Sequence, residues 1–256
     1  MTGIITIKAL GDNFIYLHPC GDHAAFVVDP GEAPTVLQAL RQHDLALTAV
    51  LLTHHHWDHV AGAADLHAKT QCGIVGPDRT LIPASGRTVA DGDVLTLAGL
   101  SVSVLATPGH TRTSVSYYVP PAGDAPGVVY TGDTLFVGGC GRLLECDPAT
   151  MWRSLHKLAA LPPDTLVYCG HDYTLENYEF AMSIDPTSRR LRERLAEVQK
   201  SVEYGRLTVP STIAQEKATN LFLQPDQPAV KAVLGMPDAP PEQVFAELRR
   251  RKDLFG

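Results

Sequence analysis

The sequence predicts a layered α/β domain followed by a helical appendage. Two compositional regimes carry this expectation. Up to about residue 172, short β-branched runs alternate with turn signals and a few helical patterns. Beyond about residue 173 the pattern is helical. Many strands with interspersed helices argue for stacked sheets flanked by helices.

The strand signals run in order through Ala25–Val28, Ala49–Thr53, Val94–Leu97, Ser101–Ala106, Ser114–Val119, Val128–Thr131 and Thr165–Tyr168. Turn signals such as Asp29-Pro30-Gly31, Asp91-Gly92-Asp93, Pro108-Gly109 and Gly138-Gly139 separate them. Helical periodicity appears over Pro34–Gln42, Val60–Lys69 and Pro148–Leu161. In the second regime Leu191, Leu195, Val198 and Val202 mark one helix face, and Thr212 with Gln215 resembles a capping box. Pro240-Pro241 opens a last helix that ends in Arg249-Arg250-Arg251-Lys252. The expected boundaries are a catalytic domain over 1–172 and a helical domain over 173–256.

The 256 residues carry a formal net charge of −7, so no overall basic field attracts nucleic acid or an anionic membrane. Met1–Leu10 lacks a basic stretch followed by an apolar segment, so no secretory leader is expected. No apolar stretch reaches the length of a membrane span. Five widely spaced cysteines without a C-x-x-C read as reduced thiols, which fits a cytoplasmic protein. Cys169, two residues before His171, reads as a small buried hydrophobe.

The chemistry concentrates at strand ends. His54-His55-His56-Trp57-Asp58-His59 follows the run Ala49–Thr53. His110 follows Ser101–Ala106, Asp133 follows Val128–Thr131, and His171 follows Thr165–Tyr168, each just after a glycine. Imidazole and carboxylate suit zinc, iron and manganese. In an extended segment His55 points away from His54 and His56, so it supports rather than ligates. His18, His23, His43, His67 and His156 read as solvated or core residues. His54, His56, Asp58, His59, His110, Asp133 and His171 remain. Seven ligands exceed the three or four of one zinc site and fit two metals sharing a carboxylate.

These motifs resemble the metallo-β-lactamase superfamily. Leu10-Gly11-Asp12-Asn13-Phe14-Ile15-Tyr16, Gly132-Asp133-Thr134-Leu135-Phe136, Gly138-Gly139-Cys140-Gly141-Arg142, Gly170-His171-Asp172-Tyr173-Thr174 and the Arg249–Phe255 ending are similar to its glyoxalase II branch, the hydroxyacylglutathione hydrolases. The resemblance spans essentially the whole chain. It implies a four-layer αββα sandwich with a C-terminal helical domain, and two divalent metals, zinc first, with iron or manganese as alternatives. It implies that His54, His56 and His110 hold one metal, Asp58, His59 and His171 the other, and that Asp133 bridges. Asp58 and Asp133 are then the carboxylates at the reacting centre. Arg142, Tyr173, Arg249 and Lys252 would grip a small-molecule glutathione thioester, S-D-lactoylglutathione, which is hydrolysed to D-lactate and glutathione in the detoxification of methylglyoxal. A monomer without nucleic-acid or membrane partners is expected.

Two departures stand out. Leu144 occupies a place where the family has an aromatic residue, and Gln224 one where it has a basic residue. The rival readings are a mono-iron glutathione persulfide dioxygenase, needing only His54, His110 and Asp133, and another hydrolase of the same scaffold.

Overall fold

In a computed structural model the described residues are 3–255, so Met1 and Thr2 of the opening segment lie outside them. The chain divides into two compact units. The first comprises the chain through Ala106 together with Thr113–Gly132. The second comprises Thr107–Arg112 and everything from Asp133 on.

The first unit runs β1 (Ile5–Ala9), β2 (Asn13–Cys20), β3 (Ala24–Val28), α1 (Ala33–Gln42), β4 (Ala46–Leu51), α2 (Trp57–Val60), α3 (Ala63–Thr70), β5 (Gly73–Gly76), β6 (Arg87–Thr88), β7 (Val94–Leu97), β8 (Leu100–Ala106), β9 (Val115–Val119) and β10 (Val128–Gly132). One sheet has the order β1-β2-β3-β4-β5-β6. Its first two pairings are antiparallel and the remaining three parallel. Strands β7 to β10 form an antiparallel meander in a second sheet.

Side-chain alternation sorts the first sheet into two faces. Ile15, Leu17, Ala25, Val27 and Val50 join Val36, Leu40 and Leu66 of α1 and α3 in one buried cluster. Tyr16, His18 and Phe26 point the other way and meet Tyr130 of the second sheet, with ring centroids 5.5–6.1 Å apart. This unit therefore stacks helix, sheet and sheet.

The single helix expected over Val60–Lys69 is instead two, α2 and α3. The break falls at Ala61-Gly62, where the Gly62 amide donates to Pro30 O at 2.9 Å. A Cβ at Gly62 would lie 2.5–2.7 Å from the Pro30–Ala33 backbone, so this close crossing requires glycine.

The second unit contains β11 (Leu135–Phe136), β12 (Gly139–Cys140), α4 (Pro148–Ala159), β13 (Leu166–Cys169), α5 (Thr174–Ile184), α6 (Arg189–Glu203), β14 (Ser211–Thr212), α7 (Ile213–Thr219), α8 (Pro228–Leu234) and α9 (Pro241–Asp253). A 3-10 turn, Leu221–Leu223, lies between α7 and α8. Trp152, Phe180, Phe222 and Phe245 form its aromatic core. Thr212 caps α7 by accepting the Gln215 amide, half of the expected capping box. Of the expected face of α6, Leu191 and Val198 are buried, whereas Val202 is exposed.

Candidate active site

In the first unit β4 ends at Leu51, and Leu52 and Thr53 carry the chain into the histidine cluster. Tyr117 OH donates to Leu52 O, and the Val115 amide donates to Thr53 O, so β9 anchors this exit from β4. Gly132 packs against Thr53 with φ +47, where a Cβ would collide with the threonine hydroxyl.

Asp29 organises the cluster, although the sequence presents it only as part of a turn. Its buried carboxylate accepts from the Thr53 amide and hydroxyl, both at 2.7 Å, and from His59 Nδ1 at 3.0 Å. Because the Thr53 hydroxyl proton goes to Asp29, its oxygen accepts from His54 Nδ1 at 3.0 Å. These bonds set both tautomers, with protons on Nδ1 and lone pairs on Nε2. His54 Nε2 lies 3.1 Å from His56 Nδ1, and His59 Nε2 lies 3.5 Å from Asp58 Oδ2. Asn13 holds the same Asp58 oxygen at 3.0 Å.

In the second unit His110, Asp133 and His171 come together from three separate loops. His110 Nε2 and His171 Nε2 lie 3.4 and 3.3 Å from one oxygen, Asp133 Oδ2. His110 Nδ1 donates to Arg142 O at 2.9 Å, so its lone pair too is on Nε2. The His171 ring stacks on Tyr173, with centroids 5.0 Å apart and planes 2° apart. All three ligand candidates are nearly buried.

The donor set fits divalent metals. Atoms bound at about 2.0–2.1 Å to one tetrahedral ion lie about 3.3 Å apart, close to the spacings within each unit. Buried imidazoles with Nδ1 protons committed to oxygen acceptors are the usual arrangement around zinc or iron. One of the buried ligand-type groups, Asp29–His54–His59, lies wholly within the first unit.

A cavity of about 540 Å³ in the second unit begins at His110 and Asp133. Arg142, Tyr173, Arg249 and Lys252 all line it. The cations are not a bare basic patch, because carboxylates unforeseen in the sequence accompany them. Arg249 pairs with Asp253 at 2.9 Å, donates to Cys140 O at 2.9 Å, and lies over the Phe222 ring. Lys252 pairs with Glu176 and sits over Phe180 and Phe255. Leu144 lines the cavity and is exposed, whereas Gln224 donates to Lys217 O and lies outside its lining. Cys169 is fully buried, and burial pushes its thiol up to about 12.

Residues 13–171 match the family model described as "Metallo-beta-lactamase superfamily", and residues 172–255 match "Hydroxyacylglutathione hydrolase C-terminus". A hydroxyacylglutathione hydrolase of Brucella anthropi is 47% identical over 95% of this chain and 94% of its own. The crystal structure of ETHE1 from Myxococcus xanthus superposes with a TM-score of 0.67 at 26% identity, covering 97% of this chain and 90% of that one. TTHA1623 in a di-iron-bound form gives 0.60 at 26% identity, covering 87% and 100%. The fold is that of the metallo-β-lactamases, with a C-terminal helical region. Within that superfamily, the chain belongs to the hydroxyacylglutathione hydrolase family.

Proposed function

We propose that the protein hydrolyses S-D-lactoylglutathione and related 2-hydroxyacyl glutathione thioesters to the hydroxy acid and glutathione. The observation that carries this reading is the cavity that runs from Asp133 and His110 to Arg142, Arg249 and Lys252, in a chain of this family. Glutathione carries two carboxylates, and the lining of the cavity includes both cations and ligand-type groups.

His54, His56 and His110 would hold one divalent metal, Asp58, His59 and His171 a second, and Asp133 would bridge them. Zinc is the first expectation, with iron or manganese as alternatives. When bound, such metals lower the pKa of a water towards neutrality and polarise a carbonyl oxygen. The chain's own residues do the positioning. Arg249 and Lys252 would take glutathione carboxylates, while Tyr173 and Arg142 would bind the peptide nearer the thioester. Fixing the substrate in this way removes entropy from the barrier before reaction. The departing thiolate has an ordinary pKa, about 8.5–9, so a strong general acid is not required.

We further propose residues 1–172 as the catalytic domain and 173–256 as the glutathione-binding domain of a cytoplasmic monomer. None of the five cysteines is in a disulfide, which suits a reducing compartment. Among the described residues no helix is long and apolar enough to cross a membrane.

The test is hydrolysis of S-D-lactoylglutathione by purified protein, followed by loss of thioester absorbance, with metal content measured on the same sample. Turnover with about two metals per chain is expected. One iron per chain, no hydrolysis, and oxygen uptake with glutathione persulfide would replace this reading with the dioxygenase.

A further inference from the structure

The segment joining Asp133 to Arg142 is a short hairpin with little support of its own. Strands β11 and β12 pair only Leu135 with Cys140 and Phe136 with Gly139. A ladder this short is marginal in isolation. Its tip is held by buried polar side chains from the helical part of the same unit.

Asn177 of α5 donates to Val137 O at 3.1 Å. Glu216 of α7 accepts the Gly138 amide at 2.9 Å. The two amide protons of Asn220, just past α7, are shared among Gly139 O at 2.9 Å, Glu216 Oε2 at 3.0 Å and, more weakly, Phe136 O at 3.3 Å. Its own Oδ1 accepts the Phe222 amide at 3.0 Å. Four consecutive tip residues, Phe136 to Gly139, are thus each tied to a helix-borne side chain. Glu216 and Asn220 are fully buried and Asn177 nearly so. A Cβ at Gly139 would come within 2.6 Å of the Asn177 amide group, so the tip is pressed against α5.

Core stability alone gives little reason for this arrangement. Burying a carboxylate is costly, and apolar side chains of similar volume often stabilise at least as well. The polar set instead prescribes where each backbone group of the tip must lie. Both ends of the hairpin carry candidate site residues. The Gly141 amide donates to Thr134 O, and a Cβ at Gly141 would collide with the Asp133 carbonyl oxygen. Arg142 O receives the His110 Nδ1 proton, and Cys140 O receives Arg249.

We propose that Asn177, Glu216 and Asn220 are positioning residues, which fix the Phe136–Gly139 tip and thereby hold Asp133 and Arg142 in register. The C-terminal helices then set the placement of a metal-binding carboxylate as well as forming the substrate pocket. The inference rests on the roles proposed above for Asp133 and Arg142.

The test uses the metal-loaded full chain. Asn220→Ala is expected to raise KM about tenfold and to release metal to a chelator about tenfold faster. In an Arg142→Ala background its effect on KM should largely vanish, because both changes act through one contact. Tyr178→Phe removes the Tyr178–Thr219 hydrogen bond in the same layer and should lower Tm while leaving KM and metal release unchanged. If Asn220→Ala does not fold, Asn177→Ser, which loses a single hairpin bond, carries the same measurements. Additive effects on KM, or a lower Tm with unchanged KM and metal release, would overturn the proposal. If the natural chain does not hydrolyse the thioester, the functional reading fails by itself, and positioning is still read from metal release and from calorimetric binding of glutathione. Metal release and glutathione binding equal to those of the natural chain would then overturn it.

Discussion

The His59 ring gives its Nδ1 proton to the buried Asp29 carboxylate at 3.0 Å, and that same carboxylate orients His54 through the Thr53 hydroxyl. One aspartate outside the histidine motif thus fixes two imidazoles.

Asp29→Asn should therefore weaken metal binding without removing any ligand. An amide places an N–H2 group where a carboxylate accepted three protons, so at least one imidazole loses its orientation. The expected loss is about 10–100-fold in metal affinity. Chelator competition on the purified variant measures it, and unchanged affinity would refute the orienting role.

Asp133→Ala and His54→Ala should lose metal and activity together. Exhaustive chelation of the natural chain should abolish turnover, and added zinc or manganese should restore it. Metal content by elemental analysis beside the thioester assay decides the point. Full kcat with two metals retained in Asp133→Ala would rule out the bridging role.

The paired cations give opposite expectations for two substitutions. Glu176→Gln removes a half-exposed carboxylate that competes with substrate for Lys252, so KM should fall a fewfold at unchanged kcat. Arg249→Ala should raise KM roughly tenfold to a hundredfold, as expected for a lost charge-assisted contact, and should also lower Tm. The second effect follows from its hydrogen bond to Cys140 O and its packing on Phe222. Steady-state kinetics and thermal melts separate the two contributions.

A pH dependence arises at His18, on β2. His18 packs against Phe26, shares a hydrogen bond with Tyr130 OH at 2.7 Å, and burial lowers its pKa from 6.5 to about 4. Between these values the unfolded chain binds the extra proton, so stability increases with pH. The contribution is fully present above pH 6.5 and is lost as pH falls towards 4. His18→Gln should flatten this part of the stability profile relative to the natural chain, as measured by urea unfolding at several pH values.

The legible parts of the sequence were those with local signals. Strands such as Val94–Leu97 and Ser101–Ala106 alternate cleanly, and Pro148 marks the start of α4 beside its Asp147 cap. Strand β2 has no local signature, because it is buried on both faces and contains His18 and Pro19, which blur its periodicity. Glycine-bounded His and Asp at strand ends identified ligand candidates. Asp29 did not stand out, because an aspartate before Pro-Gly has the local signature of a turn. Glu176, Asn177, Glu216 and Asn220 act through contacts 40 to 84 residues away, which no local pattern encodes.

Burial also shapes how the protein can live with the thiol that its proposed reaction liberates. Cys140 lines the cavity, yet burial pushes its pKa up to about 11, and that of Cys169 to about 12. At neutral pH fewer than roughly one in a thousand such groups is a thiolate, the form that attacks disulfides. These two buried thiols, Cys140 beside the cavity and Cys169 within β13, are thus poorly disposed to exchange with oxidised glutathione.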